Sequence, residues 1–349
     1  MIDSNLNALI IISPGFPRDE NDTTCLPAQQ AFVKALMRVS TNLNIVIVAL
    51  QYPPHENEYH WFGHLVIPFN SNKYGWLLRP VLWAKISHRL DRIDCGNSIG
   101  ILSFWYSETA LIGRRYSRRR NLMHLCWILG QDARKNQYAR WFRPMPDELV
   151  ALSDFLADEF YRNHRVRPSH IVPNAVDPLE FKNNSATERP IDILGVGSLI
   201  PLKRYDQFVE VVASLKKDYP SIRAVICGQG PEEGALREKI DERDLQENLS
   251  MAGEIEHEKA LAMMQQSKIL LHPSSYEGYS SACLEALYAG CHVISFTRAE
   301  NQDIDHWHVV ATREEMVAKA AAILKDTDFS PVLVHTMEDT ARKMIELFK

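Results

Sequence analysis

Two series of short apolar runs, each run followed by a helix-length amphipathic stretch, constrain the fold of this chain more than any other feature. In the first series, we predict strands at 8–13, 44–50, 64–69, 98–105, 122–130 and 148–153, with helices at 27–40, 74–92 and 107–120. In the second series, we predict strands at 191–197, 222–228, 248–253, 268–274 and 292–296, with helices at 204–219, 231–243, 257–267 and 281–289. Nearly continuous apolar strands separated by helices predict parallel sheets that are covered on both faces.

A polar segment with two prolines, "DPLEFKNNSATERP", separates the two series and is the best linker candidate. We therefore predict an α/β fold of two Rossmann-like, doubly wound domains facing a central cleft. The predicted domains are 1–180 and 191–335, joined by a linker at 181–190 and followed by a helical segment at 336–349 that could cross back onto the first domain. Ligands of such folds bind beyond the carboxyl ends of the strands, so the cleft is the expected site.

Composition narrows the class of protein. The chain has 349 residues, a net charge of -5 and 46% hydrophobic residues, which favours two globular domains and argues against a dedicated nucleic-acid binder. Six scattered cysteines form neither a CxxC pair nor a zinc-ligand spacing, so we expect reduced thiols. The N-terminus lacks a signal-peptide pattern, and no apolar run reaches the roughly 20 residues that span a bilayer. We expect a cytoplasmic protein without a metal or a cofactor.

The stretch "SSYEGYSSACLEALYAGCHVIS" places two carboxylates, Glu277 and Glu285, on either side of a predicted helix start. Ser280 or Ser281 can cap this helix, and Gly278 allows a close backbone approach. The N–H groups and dipole of the first helical turn then form an anion site suited to a diphosphate. Carboxylates on both sides of that site suit a ligand with hydroxyls at both ends, which describes a nucleoside diphosphate sugar. The alternative is that both glutamates are solvated charges near a helix start.

This stretch resembles the E-x7-E element of the retaining glycosyltransferases of family 4, which belong to the glycosyl transferases group 1 and have the GT-B fold. The residues at the family's motif positions are Pro273, Ser274, Glu277, Gly278, Glu285, Ala286 and Gly290. Three other segments resemble family motifs in the expected order: "PNAVDPLEF" (173–181), "GVGSLIPLKRYD" (195–206) and "VICGQGPEEGAL" (225–236). The resemblance is strong from about 170 to 296 and weaker before that.

The resemblance implies roles for individual residues. Lys203 would neutralise the donor diphosphate, and Glu285 would hold the ribose hydroxyls. Glu277, with backbone N–H groups of the loop that follows it, would hold the transferred sugar and its β-phosphate. The whole predicted donor site comprises Gly15, Ser198, Lys203, Arg204, Gly230, Glu277, Gly278, Tyr279, Ser280, Ser281 and Glu285, with Lys203 and Glu277 as catalytic residues. Asp132 and Asn174 are predicted contacts to the acceptor or sugar, with helix capping as the alternative for Asp132.

The sequence also departs from the family pattern. Ser198 stands where the family has an arginine, and Arg204, where the family has glycine, could partly replace that charge. Leu129 stands where the family has a histidine that contacts the sugar, and Ala175 replaces a glycine. These departures leave the donor sugar and the catalytic efficiency undetermined, and the sequence does not distinguish a UDP-sugar from a GDP-sugar.

The resemblance predicts a metal-independent, retaining glycosyltransferase. It would move a hexosyl-type sugar from a nucleoside diphosphate sugar to a hydroxyl of a glycan or lipid-linked acceptor, in polysaccharide or glycoconjugate biosynthesis. The alternatives are a catalytically inactive nucleotide or glycan binder, which Ser198 and Leu129 motivate, and a GT-B epimerase or phosphorylase. "GQGPEEG" does not meet the G-x-G-x-x-G pattern of dinucleotide binding. His124, His272 and His292 lie in or beside apolar strands, where core positions are expected.

One charge run, "RRYSRRR", stands out in this acidic chain. Its arginines are Arg114, Arg115, Arg118, Arg119 and Arg120. They are either the solvated end of a helix or a site that docks on anionic lipid at the inner face of the plasma membrane. The segment "YGWLLRPVLWAKI", with two tryptophans, could insert into the membrane beside them or belong to the core.

Overall fold

The computed structural model describes residues 6–93, 98–136, 138, 143–182, 188–298, 303–325 and 328–349. The chain divides into two compact units: Met1–Asn174 together with Met337–Lys349, and Ala175–Thr336. The first unit therefore ends before residue 180, where the sequence analysis places its limit. Half of the predicted linker, 183–187, lies outside the described residues.

The described part of the first unit contains an eight-stranded sheet. Its strands are β1 (Ala8–Gly15), β2 (Asn44–Tyr52), β3 (Tyr59–Trp61), β4 (His64–Pro68), β5 (Ile99–Phe104), β6 (Met123–Ile128), β7 (Leu149–Ala151) and β8 (His170–Ile171). The spatial order is β3-β4-β2-β1-β5-β6-β7-β8, and only β3 pairs with its neighbour in the antiparallel sense among these strands. Its helices are α1 (Pro27–Val39), α2 (Arg79–Leu90), α3 (Glu108–Arg120), α4 (Asp154–His164) and α10 (Met337–Glu346).

The central strand of this unit is buried between helices. The side chains of β1 from Ala8 to Ile12 are almost completely buried, because helices cover both faces of the sheet. The helix α10 packs on α1, where Arg38 Nε lies 3.1 Å from Glu338 Oε1. Thr340 Oγ1 donates a hydrogen bond of 3.0 Å to the carbonyl of Pro173. The C-terminal segment is therefore part of the first unit.

The second unit contains a parallel sheet of six described strands. They are β9 (Ile191–Val196), β10 (Ala224–Cys227), β11 (Leu249–Gly253), β12 (Ser267–His272), β13 (His292–Ser295) and β14 (Trp307–Val309), in the order β11-β10-β9-β12-β13-β14. The helices are α5 (Tyr205–Lys216), α6 (Glu233–Glu242), α7 (His257–Gln265), α8 (Ser281–Tyr288) and α9 (Arg313–Ile323). The strand order reverses between β9 and β12, which makes their carboxyl ends the topological switch point of this sheet.

The predicted fold class is confirmed: both units are Rossmann-like α/β structures with parallel sheets. The prediction of a helix at 74–92 is wrong for the first residues of this segment. A 3₁₀ turn at Trp76–Leu78 comes first, and α2 begins at Arg79. Pro80 explains the difference, because proline is tolerated in the first turn of a helix but not in its interior. The helices α4 and α9 were not predicted. No helix within the described ranges has the length and apolar character needed to cross a bilayer.

Candidate functional site

The candidate site lies at the switch point of the second unit. Lys203 is on a 3₁₀ turn (Pro201–Lys203) in the connection after β9, and Glu277 is in the loop after β12. The two loops are tied together, because the Ser275 amide donates a hydrogen bond of 3.0 Å to the Leu202 carbonyl. Ser274 Oγ donates to the same carbonyl at 3.3 Å. The neighbouring strands β9 and β12 therefore bring Lys203 and Glu277 together from positions far apart in the sequence.

Lys203, Glu277 and His272 form a hydrogen-bonded cluster. Lys203 Nζ donates to Glu277 Oε1, and His272 Nε2 lies 3.0 Å from the same oxygen. The side chains of Lys203 and Glu277 are only 20% and 17% exposed. His272 is buried, as the sequence analysis expected, but its contact with Glu277 was missed. Its place as the last residue of β12, directly before the loop of Glu277, is the signal that could have revealed it.

The environment of Glu277 keeps its carboxylate ionised. Burial alone would raise the pKa of this group. The hydrogen bond and charge of His272 and the charge of Lys203 outweigh burial and lower the pKa to about 2. A carboxylate that is ionised at every physiological pH can only accept hydrogen bonds. The cluster therefore offers one fixed acceptor and one ammonium group at the edge of the sheet.

The low pKa of Glu277 predicts a pH dependence of stability. Since the folded pKa of about 2 lies below the ordinary value of 4.5, the ionised group stabilises the fold above pH 4.5, and this contribution is lost as the pH falls toward 2. At neutral pH, we expect the free energy of unfolding of wild type to exceed that of Glu277→Gln by about 2–3 kcal/mol. This difference becomes smaller as the pH falls. Urea unfolding from neutral pH down to pH 2 measures it, with Glu247→Gln at an exposed position as control. A gap that does not change with pH would contradict a lowered pKa of Glu277.

Glu285 makes a second, partly buried contact, with His257. His257 Nε2 lies 3.0 Å from Glu285 Oε1, and His257 Nδ1 lies 3.6 Å from Glu180 Oε2. His257 is the first residue of α7, and Glu285 is one turn inside α8. The histidine therefore orients the carboxylate that the resemblance assigns to ribose hydroxyls. His257 is not among the predicted site residues, because a histidine within "EIEHEK" has no feature that separates it from surface charge.

The start of α8 has the predicted cap. Ser280 Oγ accepts a hydrogen bond of 3.4 Å from the Cys283 amide, which confirms Ser280 as the capping residue. Gly278 is buried and Ser281 is half-buried, at the first position of the helix. The Tyr279 ring is buried against Trp307, with 6.4 Å between the ring centroids. The positive end of the helix dipole thus lies in the chain segment that directly follows Glu277.

The other predicted donor residues of the second unit lie on loops at the same edge of the sheet. Ser198 is exposed in the loop after β9. Arg204 has a left-handed backbone with φ 52°, and its guanidinium carbon lies 5.3 Å from the centre of the Phe296 ring. A Cβ atom on Gly230 would lie 2.4 Å from the Leu199 carbonyl oxygen. Gly230 is therefore required for the close approach of two loops.

The predicted residues of the first unit also lie near the carboxyl edge of its sheet. Gly15 is the last residue of β1, and a Cβ atom there would lie 3.2 Å from Tyr52 Cβ. Asn174, the last residue of the segment Met1–Asn174, is buried.

Asp132 holds the backbone of two loops in the first unit. Its carboxylate accepts hydrogen bonds from the amides of Tyr106 at 2.7 Å, Gly130 at 2.7 Å and Leu129 at 3.1 Å. Burial raises the pKa of Asp132 to about 6, although these hydrogen bonds oppose the shift. Asp132 lies within the short 3₁₀ helix Gln131–Ala133, whose N-cap is Gly130 and which has no side-chain cap, so the capping alternative is wrong and contact with an acceptor stays a prediction.

The charges available to a ligand at this site come from side chains and backbone. Within the described ranges, no group of three or more His, Cys, Asp or Glu side chains is arranged to hold a metal ion. The positive groups of the second unit's site include Lys203, Arg204 and the N-terminus of α8.

The fold and the site together define a two-unit Rossmann-like protein with a lysine–carboxylate cluster at a switch point. Residues 176–343 match the family described as Glycosyl transferases group 1, and the chain has the GT-B fold. The chain is 33% identical over 155 residues to a phosphatidylinositol N-acetylglucosaminyltransferase subunit of Arabidopsis thaliana. That similarity covers 43% of this chain and 34% of the relative, so the chain spans about a third of the relative's length.

Two solved structures resemble nearly the whole chain. A glycosyltransferase from Rickettsia africae has a TM-score of 0.67 at 14% identity, over 99% of this chain and 95% of the other. Anabaena HepE, solved in complex with UDP and glucose, has a TM-score of 0.66 at 13% identity, over 97% and 94% of the two chains. At this identity the likeness concerns the fold alone.

Proposed function

We propose that this protein is a retaining glycosyltransferase that transfers a hexosyl-type sugar from a nucleoside diphosphate sugar to a hydroxyl of a glycan or lipid-linked acceptor. The observation that carries the proposal is the cluster of Lys203, His272 and Glu277 at the switch point, directly before the N-terminus of α8. The match to the group 1 family supports a glycosyl transfer. The UDP and glucose bound to HepE and the name of the Arabidopsis relative support a UDP-sugar, with N-acetylglucosamine as the first sugar to test.

The charges of the site suit the departure of a diphosphate. Breaking a glycosyl–phosphate bond builds positive charge on the sugar and negative charge on the leaving group. Fixed positive potential at the leaving group gives the largest stabilisation of that transition state. Lys203 and the N-terminus of α8 supply this potential, so the proposed reaction needs no metal.

The carboxylates have positioning roles in this proposal. Glu277, kept ionised by His272 and Lys203, accepts hydrogen bonds from hydroxyls of the transferred sugar. Glu285, oriented by His257, accepts hydrogen bonds from the ribose. Retention would follow from departure of the phosphate and entry of the acceptor hydroxyl on the same face of the sugar. Glu277 is a positioning group in this reaction and forms no covalent bond.

Incubation with labelled UDP- and GDP-sugars tests the proposal. We expect release of the diphosphate by hydrolysis or transfer, at a rate that a chelator such as EDTA leaves unchanged. Binding of a donor without release of diphosphate would contradict the proposal and favour an inactive binder. Conversion of the donor into another nucleotide sugar would instead indicate an epimerase.

Nucleoside diphosphates are expected to stabilise the fold. A ligand that binds only the folded state stabilises it by about 2.7 kcal/mol at 100 times its dissociation constant. We expect a thermal-shift screen to show this effect for UDP or GDP in wild type and a much smaller one in Lys203→Met. Lys217→Met, at an exposed position of the same unit, is the matched control. A full shift in Lys203→Met would contradict the assignment of Lys203 to the diphosphate.

A further inference from the structure

An exposed apolar turn lies at the carboxyl edge of the sheet in the first unit. It comprises Trp76, Leu77 and Leu78, together with Val81 in the first turn of α2. These side chains are 82%, 70%, 52% and 58% exposed. Large apolar side chains exposed in one contiguous group indicate an interaction surface.

The geometry of the turn favours a fluid partner over a rigid one. A 3₁₀ helix has three residues per turn, so the side chains of Trp76, Leu77 and Leu78 point in three directions about 120° apart. All three are more than half exposed, which means that the turn projects from the surface of the unit. A flat protein face would cover one side of such a turn, whereas lipid can surround it.

Partly buried polar contacts fix the start of α2, directly after the turn. Arg79 Nη1 and the indole nitrogen of Trp83 bind the two oxygens of Glu108, at 2.7 and 2.8 Å. Glu108 is buried at the start of α3, and Leu82 and Ile86 pack into the core. The two tryptophans of this segment therefore differ: Trp83 faces inward with a partner for its N–H group, and Trp76 faces outward.

The surface behind the turn is strongly basic. Residues 79–92 and 108–120 carry nine lysines and arginines and two acidic residues. Lys85 and Arg89 contact Glu56 and Glu58, so with these two glutamates the net charge is +5 in a chain of net charge -5. The two helices run side by side in the same direction, because Arg79 contacts Glu108 at their N-termini and Arg120 contacts Asp91 at their C-termini. The arginines at the end of α3 thus lie about 18 Å from the apolar turn, at 1.5 Å per residue of helix.

The arginine run predicted to contact membrane needs one correction. Arg114 is buried, donates to the Arg143 carbonyl and lies 3.3 Å from Glu148 Oε1, so it cannot contact lipid. Arg119 and Arg120 contact Asp91. The exposed arginines Arg115 and Arg118 are the best candidates for lipid contact.

We propose that the first unit docks on an anionic lipid bilayer, with the apolar turn inserted among the headgroups and α2 and α3 lying along the surface. Tryptophan and leucine beside lysine and arginine are the composition of interfacial segments. Basic side chains near an anionic surface add to this binding in proportion to their number. The proposal concerns the surface alone and does not depend on transferase activity.

Vesicle flotation tests the proposal with the full chain and two variants. Vesicles of phosphatidylcholine, with or without phosphatidylglycerol, are the probes. The triple variant Trp76→Ser, Leu77→Ser, Leu78→Ser is expected to lower the partition coefficient at least about a hundredfold, because three large side chains no longer leave water. Arg115→Glu with Arg118→Glu is expected to lower it at least about tenfold on anionic vesicles and not on neutral ones.

Matched controls separate docking from general effects of substitution. Leu179→Ser removes a leucine that is 71% exposed in the second unit, and Lys217→Glu with Lys325→Glu reverses two exposed charges there. Both are expected to leave vesicle binding unchanged, and circular dichroism confirms that each variant folds. Wild type that stays off anionic vesicles would overturn the proposal and point to a protein partner. Equal binding by wild type and the triple serine variant would also overturn it.

Discussion

Replacement of Lys203 by alanine is expected to lower turnover of the donor at least about a hundredfold, the scale for losing an electrostatic stabiliser at a leaving group. Lys203 carries the ammonium group of the switch-point cluster, and its side chain is only 20% exposed. Without Lys203, less positive charge lies beside the Glu277 carboxylate. This carboxylate then repels the diphosphate as negative charge builds on the leaving group. Steady-state assays on an identified donor measure the loss.

The control for this prediction separates charge from folding. Lys217→Ala removes an exposed lysine of the same unit and is expected to keep normal turnover. If Lys203 acts on the transition state, its replacement lowers kcat and kcat/KM together. A raised KM with an unchanged kcat would mean that Lys203 binds the donor and the transition state equally. Near-normal turnover by Lys203→Ala would refute its catalytic assignment.

The sequence was sufficient to predict the strand ends that build the site. Apolar runs locate strands such as β9 and β12, and ligand-binding loops follow the carboxyl ends of parallel strands. Lys203 and Glu277 follow such strands, so their pairing could be anticipated from topology and the family motif. The contact that joins them, through a single oxygen of Glu277, is a matter of side-chain packing.

The histidines of the site illustrate what local pattern cannot predict. His257 and Glu285 are 28 positions apart, and their contact depends on how α7 and α8 pack. His272 lies in an apolar strand, a pattern that indicates burial but does not reveal its partner. The periodicity of the sequence therefore indicates which residues are buried, but it does not indicate which side chains they contact.

Helix α3 shows that a run of charged residues does not reveal which of its side chains are buried. Its run of arginines predicts a solvated or lipid-facing surface, yet Arg114 turns inward and contacts Glu148 on a distant segment. A run of like charges on a helix covers every direction around the axis, at 3.6 residues per turn. One member of the run therefore faces the sheet whatever the others do.

Replacement of Gly228 by alanine is expected to destabilise the second unit by at least about 3 kcal/mol. Gly228 follows β10 with φ 143°, and a Cβ atom there would lie 1.9 Å from the Gly197 carbonyl oxygen. Its amide also donates a hydrogen bond of 2.7 Å to the Gly253 carbonyl. An added methyl group must therefore push apart the loops that follow β9 and β10, close to the site of Lys203.

Thermal unfolding checks this prediction, with a melting temperature lowered by roughly 6–12 °C for a unit of this size. Gly234→Ala is the matched control, because Gly234 lies in α6 with no neighbour within 4 Å of an added Cβ atom. Alanine is the better helix former, so this control is expected to raise stability by up to about 1 kcal/mol. The same substitution is thus expected to change stability in opposite directions at two glycines six positions apart. Equal melting temperatures for the two variants would mean that the loops after β9 and β10 do not approach each other closely.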